Sequence, residues 1–266
     1  MVIDFHTHIF PEKIAAKTIE QLEKRADVKA ATDGTLQGLL ASMERCGVDL
    51  SVILPVATKP SQFDSIQNFA KSVNEQYPGR LISFGGIHPD CADYKKELDT
   101  IHDMGFQGIK LHPDYQGVMI DDVRYMRIIE YASELGLIIL PHAGTDIGLP
   151  EPVHCPPEKM RKVLDAIKPE KMVLAHFGGW GLWEDVYEYL AGENVWLDTA
   201  FIYDYITEEQ FYKILEKHGP DRILFATDSP WSDMATGIDW INKLSLPQQI
   251  KEDILSGNAK RLLGLE

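Results

Sequence analysis

Regular alternation constrains the fold of this chain more than any other feature. Short apolar, β-prone runs recur at 1–8, 50–56, 81–88, 108–112, 137–142, 172–176, 195–199 and 223–228. Between them lie stretches with apolar residues three and four apart, the spacing of a single helix face. "TLQGLLASMERCG" (35–47) and "DDVRYMRIIEYASELG" (121–136) both end in Gly, and the second opens on an Asp suited to cap a helix. "PPEKMRKVLDAI" (156–167) puts Pro at a helix start, where a missing N–H costs nothing. Further helices are predicted over 61–77, 92–104, 182–191 and 207–218. About eight strands, each followed by a helix, is the pattern of a (β/α)8 barrel of the TIM type. The rival, a doubly wound open sheet, needs fewer such units, and its G-x-G-x-x-G turn is absent after the first strand. Residues 9–49 are more than one helix requires and predict extra elements at the barrel mouth. "DILSGNAKRLLGL" predicts one or two closing helices. No linker, low-complexity run or shift in composition divides the chain, so 1–266 is read as one domain.

In such a barrel the chemistry sits at the C-terminal ends of the strands. The first strand, "MVIDFHTHIF", places Asp4, His6 and His8 on one side, since strand residues two apart share a face. Two neighbouring imidazoles there are either satisfied core histidines or metal ligands. The other strand ends decide between these. They carry His88, Lys110 with His112, His142, His176 and Asp228, so six of the nine histidines fall at one rim. His102 and His218 fall in predicted helices and His154 in a loop. Scattered core histidines would not collect in this way, and a metal site is the better reading. Neutral imidazoles and a carboxylate suit Zn²⁺, the first expectation, with Mn²⁺ or Fe²⁺ as alternatives. Such a cation brings the pKa of bound water towards about 7. Asp228, in "LFATDSPW", would serve as ligand and proton acceptor; its structural alternative is an N-cap for the next helix.

The motifs "DFHTH", "GIKLHP", "LPHAG", "LAHFGG" and "FATDSPW", in this order, resemble the amidohydrolase superfamily, and within it the amidohydrolase-related branch that also contains decarboxylases and lactonases. The resemblance spans nearly the whole chain. It implies that His6, His8 and His142 hold one metal with Asp228 as ligand and proton shuttle. It further implies that His176 binds a second metal in binuclear members or assists the chemistry in mononuclear ones. Lys110 matches the strand-four lysine that binuclear members carboxylate to bridge two metals; the alternative is an interior lysine paired with Asp4 or Asp228. Many decarboxylase-like members lack this lysine, which tilts the expectation towards hydrolysis.

Other candidates serve substrate binding. His112 is placed to polarise a substrate carbonyl. His154, in the loop after strand five, is either a substrate contact or a solvated residue. Trp180 and Trp231 either wall a ring-bearing substrate or pack loops. Cationic residues at the predicted rim are few beyond Lys110 and Lys59, so an anionic substrate would rely on metal or backbone donors.

Composition excludes some partners. A net charge of −15 argues against nucleic acid, and no apolar run is long enough for a membrane span. The chain opens directly on a strand with no signal-like segment, and Cys46, Cys91 and Cys155 form no C-x-x-C pair. Both features predict a cytoplasmic protein with reduced thiols; a homo-oligomer stays open. The expected function is metal-dependent hydrolysis of a small-molecule C–N, C–O or P–O bond. The alternatives are non-oxidative decarboxylation of an aromatic or unsaturated acid and a non-catalytic metal-binding barrel.

Overall fold

The computed structural model describes residues 1–265. Its strands are β1 (Ile3–Thr7), β2 (Leu50–Ile53), β3 (Leu81–Ser83), β4 (Gly85–Gly86), β5 (Gly108–Leu111), β6 (Ile138–Pro141), β7 (Val173–Leu174), β8 (Trp196–Asp198) and β9 (Ile223–Leu224). All pairings are parallel, as strand–helix alternation requires. The expected single eight-stranded ladder needs correction, however. Regular pairing falls into three three-stranded sheets, β1-β2-β3, β4-β5-β6 and β7-β8-β9. The predicted run 81–88 is split at Phe84 into β3 and β4. Elsewhere the breaks fall beside strands of only two residues, too short to carry a ladder to both neighbours. Scattered backbone hydrogen bonds, two or three at each, cross the breaks between β6 and β7 and between β9 and β1. Ile139 N donates to Lys171 O at 2.9 Å, and Asp228 N to His6 O at 2.8 Å.

Both faces of the strands are apolar, which is why the sequence shows continuous runs and not polar–apolar alternation. Ile138 and Leu140 belong to one buried cluster with Phe5, Val173 and Leu224, whereas Ile139 belongs to another with the helix residues Ile128 and Val163. Fully burying such a side chain is worth about 1.5–3 kcal/mol, so the strand layer is the rigid part of the molecule. Residues 9–49 form two helices, as the surplus length predicts. The first, α1 (Glu12–Ala26), buries only Ala15 and Ile19. It is held by far less apolar area than the strands. The second, α2 (Leu36–Cys46), is capped by the Thr35 hydroxyl, which accepts from Gly38 N at 2.9 Å, and stops at Gly47, whose φ of 71° suits glycine.

Local capping departs from expectation at one helix, Val123–Glu134. Asp122, not Asp121, caps it, accepting from Arg124 N, while Asp121 pairs with Lys159 at 2.9 Å. The three cysteines are free thiols. Among the described residues no helix is long and apolar enough to cross a membrane.

Candidate metal centre and cavity

Side chains from the C-terminal ends of β1, β5, β6, β7 and β8, and from the segment after β9, converge on one point. His6 Nε2 lies 3.1 Å from His8 Nε2 and 3.4 Å from Asp228 Oδ1, and His8 Nε2 lies 3.0 Å from the same oxygen. The opposite edge of each ring is committed to an acceptor. His6 Nδ1 donates to Asp198 Oδ2 at 2.8 Å, His8 Nδ1 to Leu54 O at 2.7 Å, and His176 Nδ1 to Ala200 O at 2.8 Å. A neutral imidazole carries one N–H, so in its neutral form each ring presents a lone pair at Nε2. Burial holds His6, His112 and His142 well below the usual imidazole range and pulls His176 down to about 4. Two lone pairs facing each other at 3.1 Å repel unless a cation relieves them. With fixed tautomers, His6, His8 and Asp228 offer three donor atoms within 4.8 Å of one another, a set that fits a divalent metal.

The backbone is arranged to hold this cluster. His176, Phe177, Phe201 and Asp228 all adopt left-handed φ, between 55° and 63°, an uncommon conformation for non-glycine residues that elsewhere in the chain occurs at the helix ends Asp27 and Lys168. Asp198 is central. One oxygen fixes His6, while the other accepts from His176 N at 2.8 Å and from Ala200 N at 3.0 Å. At Gly144, φ is +84° and a Cβ would lie 2.1 Å from Trp180 N, so only glycine lets the loops after β6 and β7 meet. That contact keeps His142 Nδ1 at 3.0 Å from His176 Nε2. The other ring nitrogen of His142 is buried without a hydrogen-bond partner, 3.8 Å from Asp114 Oδ2, which is equally unpartnered.

Lys110 is buried, with Nζ 3.1 Å from His6 Nε2. Burial lowers its pKa to about 8 against the opposing attraction of Asp198 and Asp228. The expected alternative partner Asp4 is not beside it; Asp4 accepts from Thr227 and from His6 N. Asp228 is not an N-cap either, since Asp233 caps the following helix. His112 stacks on His142, centroids 4.4 Å apart, and its Nε2 faces Asp146 Oδ2 at 3.6 Å.

A cavity of about 670 Å³ opens over the cluster, and Trp180 and Trp231 both line it. His154 does not line it; its Nδ1 is spent on Asp114 Oδ1 at 3.0 Å. His88 is also off the wall, accepting from Asp90 N. Four functional side chains escaped the sequence reading. Asp198 ends a predicted strand and was within reach of the rule that found the histidines. Asp114 sits in the short helix Pro113–Gln116 just past β5, Asp146 in the loop after β6, and Arg25 lies on α1. The last corrects the expected rim: Arg25 lines the cavity, and Lys59 does not.

The amidohydrolase family profile matches residues 3–265. The chain belongs to the amidohydrolase family. No curated protein sequence matches it. Among solved structures, this amidohydrolase is similar to a TIM-barrel protein of Bordetella bronchiseptica, with a TM-score of 0.77, 19% identity, and 99% and 98% of the two chains covered. It is also similar to 5-carboxyvanillate decarboxylase of Sphingomonas paucimobilis, at 0.72 and 16%, covering 100% and 99%. A third is a dihydroxybenzoic acid decarboxylase of Polaromonas sp. with bound manganese and the inhibitor 2-nitroresorcinol, at 0.74 and 16%, covering 99% and 97%. At these identities the likeness shows a shared fold.

Proposed function

We propose that this amidohydrolase is a metal-dependent, non-oxidative decarboxylase of a small aromatic or unsaturated carboxylic acid, its three sheets together forming a (β/α)8 barrel. One observation carries the reading. The cavity is floored by the histidine–aspartate cluster, walled by apolar side chains such as Phe10, Ile66 and Phe69, and carries Arg25 and Lys110 as its cations. A ring with a carboxylate matches that wall and floor. The likeness to two aromatic-acid decarboxylases supports it.

His6, His8, His142 and Asp228 would hold the metal, and manganese, present in one of those neighbours, is the ion to try first. When bound, it would orient the substrate carboxylate and draw off its charge. Asp228 then carries the proton. His176 cannot supply it while neutral, because its one N–H is spent on Ala200 O. Asp228, protonated from solvent, passes that proton to the ring carbon and returns to its carboxylate form; the bond to the substrate carboxylate breaks, and CO₂ leaves as its electron pair restores the ring. His112 Nε2 and Lys110 Nζ lie beside the cluster as hydrogen-bond donors to substrate oxygens. The apolar wall excludes water from the carbon being protonated.

Manganese-loaded protein incubated in D₂O with 2,6-dihydroxybenzoate or 5-carboxyvanillate should release CO₂ and leave one deuterium at the former carboxyl carbon. Turnover of amides or esters without CO₂ release from either acid would overturn the reading in favour of hydrolysis. Hydrolysis is the second reading because Lys110 stands where a carboxylated lysine could bridge two ions; about two metals per chain by elemental analysis would favour it.

A further inference from the structure

We infer that Asp114, braced by His154, is a positioning residue for His142: its carboxylate holds the His142 proton at Nε2, so that Nδ1 turns a lone pair to the metal site. This rests on the reading of His142 as a metal ligand and is independent of which reaction the metal serves.

The His142 proton has two places to go. Nδ1 lies 3.0 Å from His176 Nε2, itself an acceptor because the His176 N–H is spent on Ala200 O. A proton on His142 Nδ1 would bond the two rings to each other and leave no lone pair there for a metal. A proton on Nε2 frees Nδ1 but needs an acceptor behind the ring. Asp114 Oδ2 is that acceptor. It lies 3.8 Å from Nε2, and both atoms are buried with no hydrogen-bond partner among the described residues. Buried polar atoms are almost always paired. Closing the gap by about 1 Å gives a charge-assisted hydrogen bond, stronger than the neutral ring-to-ring bond it competes with.

The surroundings fix the direction of this carboxylate. Asp114 lies in the short helix Pro113–Gln116. Gln116 pins that turn, donating to Ala57 O and Ile87 O, both at 2.8 Å, and accepting from His112 N at 3.1 Å. Asp114 Oδ1 accepts from His154 N at 3.1 Å and from His154 Nδ1 at 3.0 Å, which leaves Oδ2 for His142. The stack on His112 sets the plane of the His142 ring, and the carboxylate sets its direction within that plane. The same stack argues against an ion shared by His112, His142 and Asp146, although these offer donor atoms within 4.8 Å of one another. The two rings are within 9° of parallel, so their lone pairs lie in planes that do not meet nearby.

The test reads the proton itself. Long-range proton–nitrogen-15 spectra of metal-free protein in slightly alkaline buffer show which ring nitrogen of each histidine carries hydrogen, with His142 assigned by its loss in His142→Gln. In the natural chain the His142 proton should sit on Nε2. In Asp114→Asn the side-chain oxygen must still accept from His154 N, so the amide donor faces Nε2 and the proton should move to Nδ1. Manganese affinity, measured against a competing chelator, should fall about 10–100-fold with it. His154→Ala should weaken manganese binding less, and His154→Asn, whose amide replaces Nδ1 as donor, should recover most of that loss. A proton on Nδ1 in the natural chain, or unchanged affinity in Asp114→Asn, would overturn the proposal and leave the metal reading standing. Weaker binding in Asp114→Asn with the proton still on Nε2 would also overturn it, since Asp114 would then act on the fold and not on the ring. Failure of the natural chain to bind manganese would overturn both.

Discussion

The two ends of β8 each hold a buried histidine, and the rings are used in opposite ways. His218 lies beside the N-terminal end, its Nδ1 accepting from Gly192 N at 3.2 Å and its Nε2 donating to Val195 O at 3.1 Å. His176 sits at the C-terminal end, where Asp198 holds its backbone, Ala200 O takes its only N–H, and its Nε2 meets another imidazole of the site, His142 Nδ1, at 3.0 Å. The two are equally hidden from solvent, with 5% and 4% of their surface exposed. Burial therefore does not separate a structural histidine from a functional one. What separates them is whether the backbone takes both nitrogens, as at His218, or leaves one facing the side chains of the site, as at His176.

The sharpest way to break this comparison is at Asp228, which closes the set of unspent donors. Asp228→Asn should lower turnover by about 10²–10⁴-fold, the range for a lost proton carrier, with metal content by elemental analysis close to that of the natural chain. Full activity in the variant would show that the cluster is as structural as His218. A smaller effect is expected at Asp198. Its Oδ1 must accept two backbone N–H groups, so Asp198→Asn would turn its amide donor towards His6 Nδ1. Relief of that donor–donor clash moves the His6 proton to Nε2 and removes the lone pair. Metal affinity, measured against a competing chelator, should fall about 10–100-fold. Unchanged affinity would mean that the tautomer is not set from behind the ring.

Much of the site was legible because strand ends project side chains at fixed positions. His6, His8, Lys110, His112, His142, His176 and Asp228 could all be placed from periodicity before any geometry was known. The same rule reaches Asp198, but a lone carboxylate after "WL" has no histidine beside it to draw notice. Arg25 was beyond reach for a different reason. It belongs to an inserted helix whose docking depends on two buried side chains, and nothing in the spacing of α1 says which face turns to the cavity. The fold was legible to the same depth. Parallel strand–helix alternation follows from sequence, whereas the breaks between the three sheets depend on how many residues of each run keep regular pairing.

The smallest expected effect tests the structural histidine by itself. Burial pulls His218 down to about 4, while in the unfolded chain it titrates near 6.5. Between those values the unfolded state binds the extra proton, so stability is fully present above about pH 6.5 and falls as the pH drops towards 4. At pH 5 the loss from this one group is about 2 kcal/mol. His218→Gln keeps both hydrogen bonds, with the amide oxygen accepting from Gly192 N and the amide nitrogen donating to Val195 O, but does not titrate. Urea unfolding of metal-free protein at pH 7 and pH 5 should therefore show the natural chain losing about 2 kcal/mol more than the variant. The buried histidines of the metal cluster are present in both proteins, so their contribution cancels in the difference. Equal losses would mean that His218 accepts a proton within the fold, and full use of its two nitrogens by the backbone would no longer distinguish it from His176.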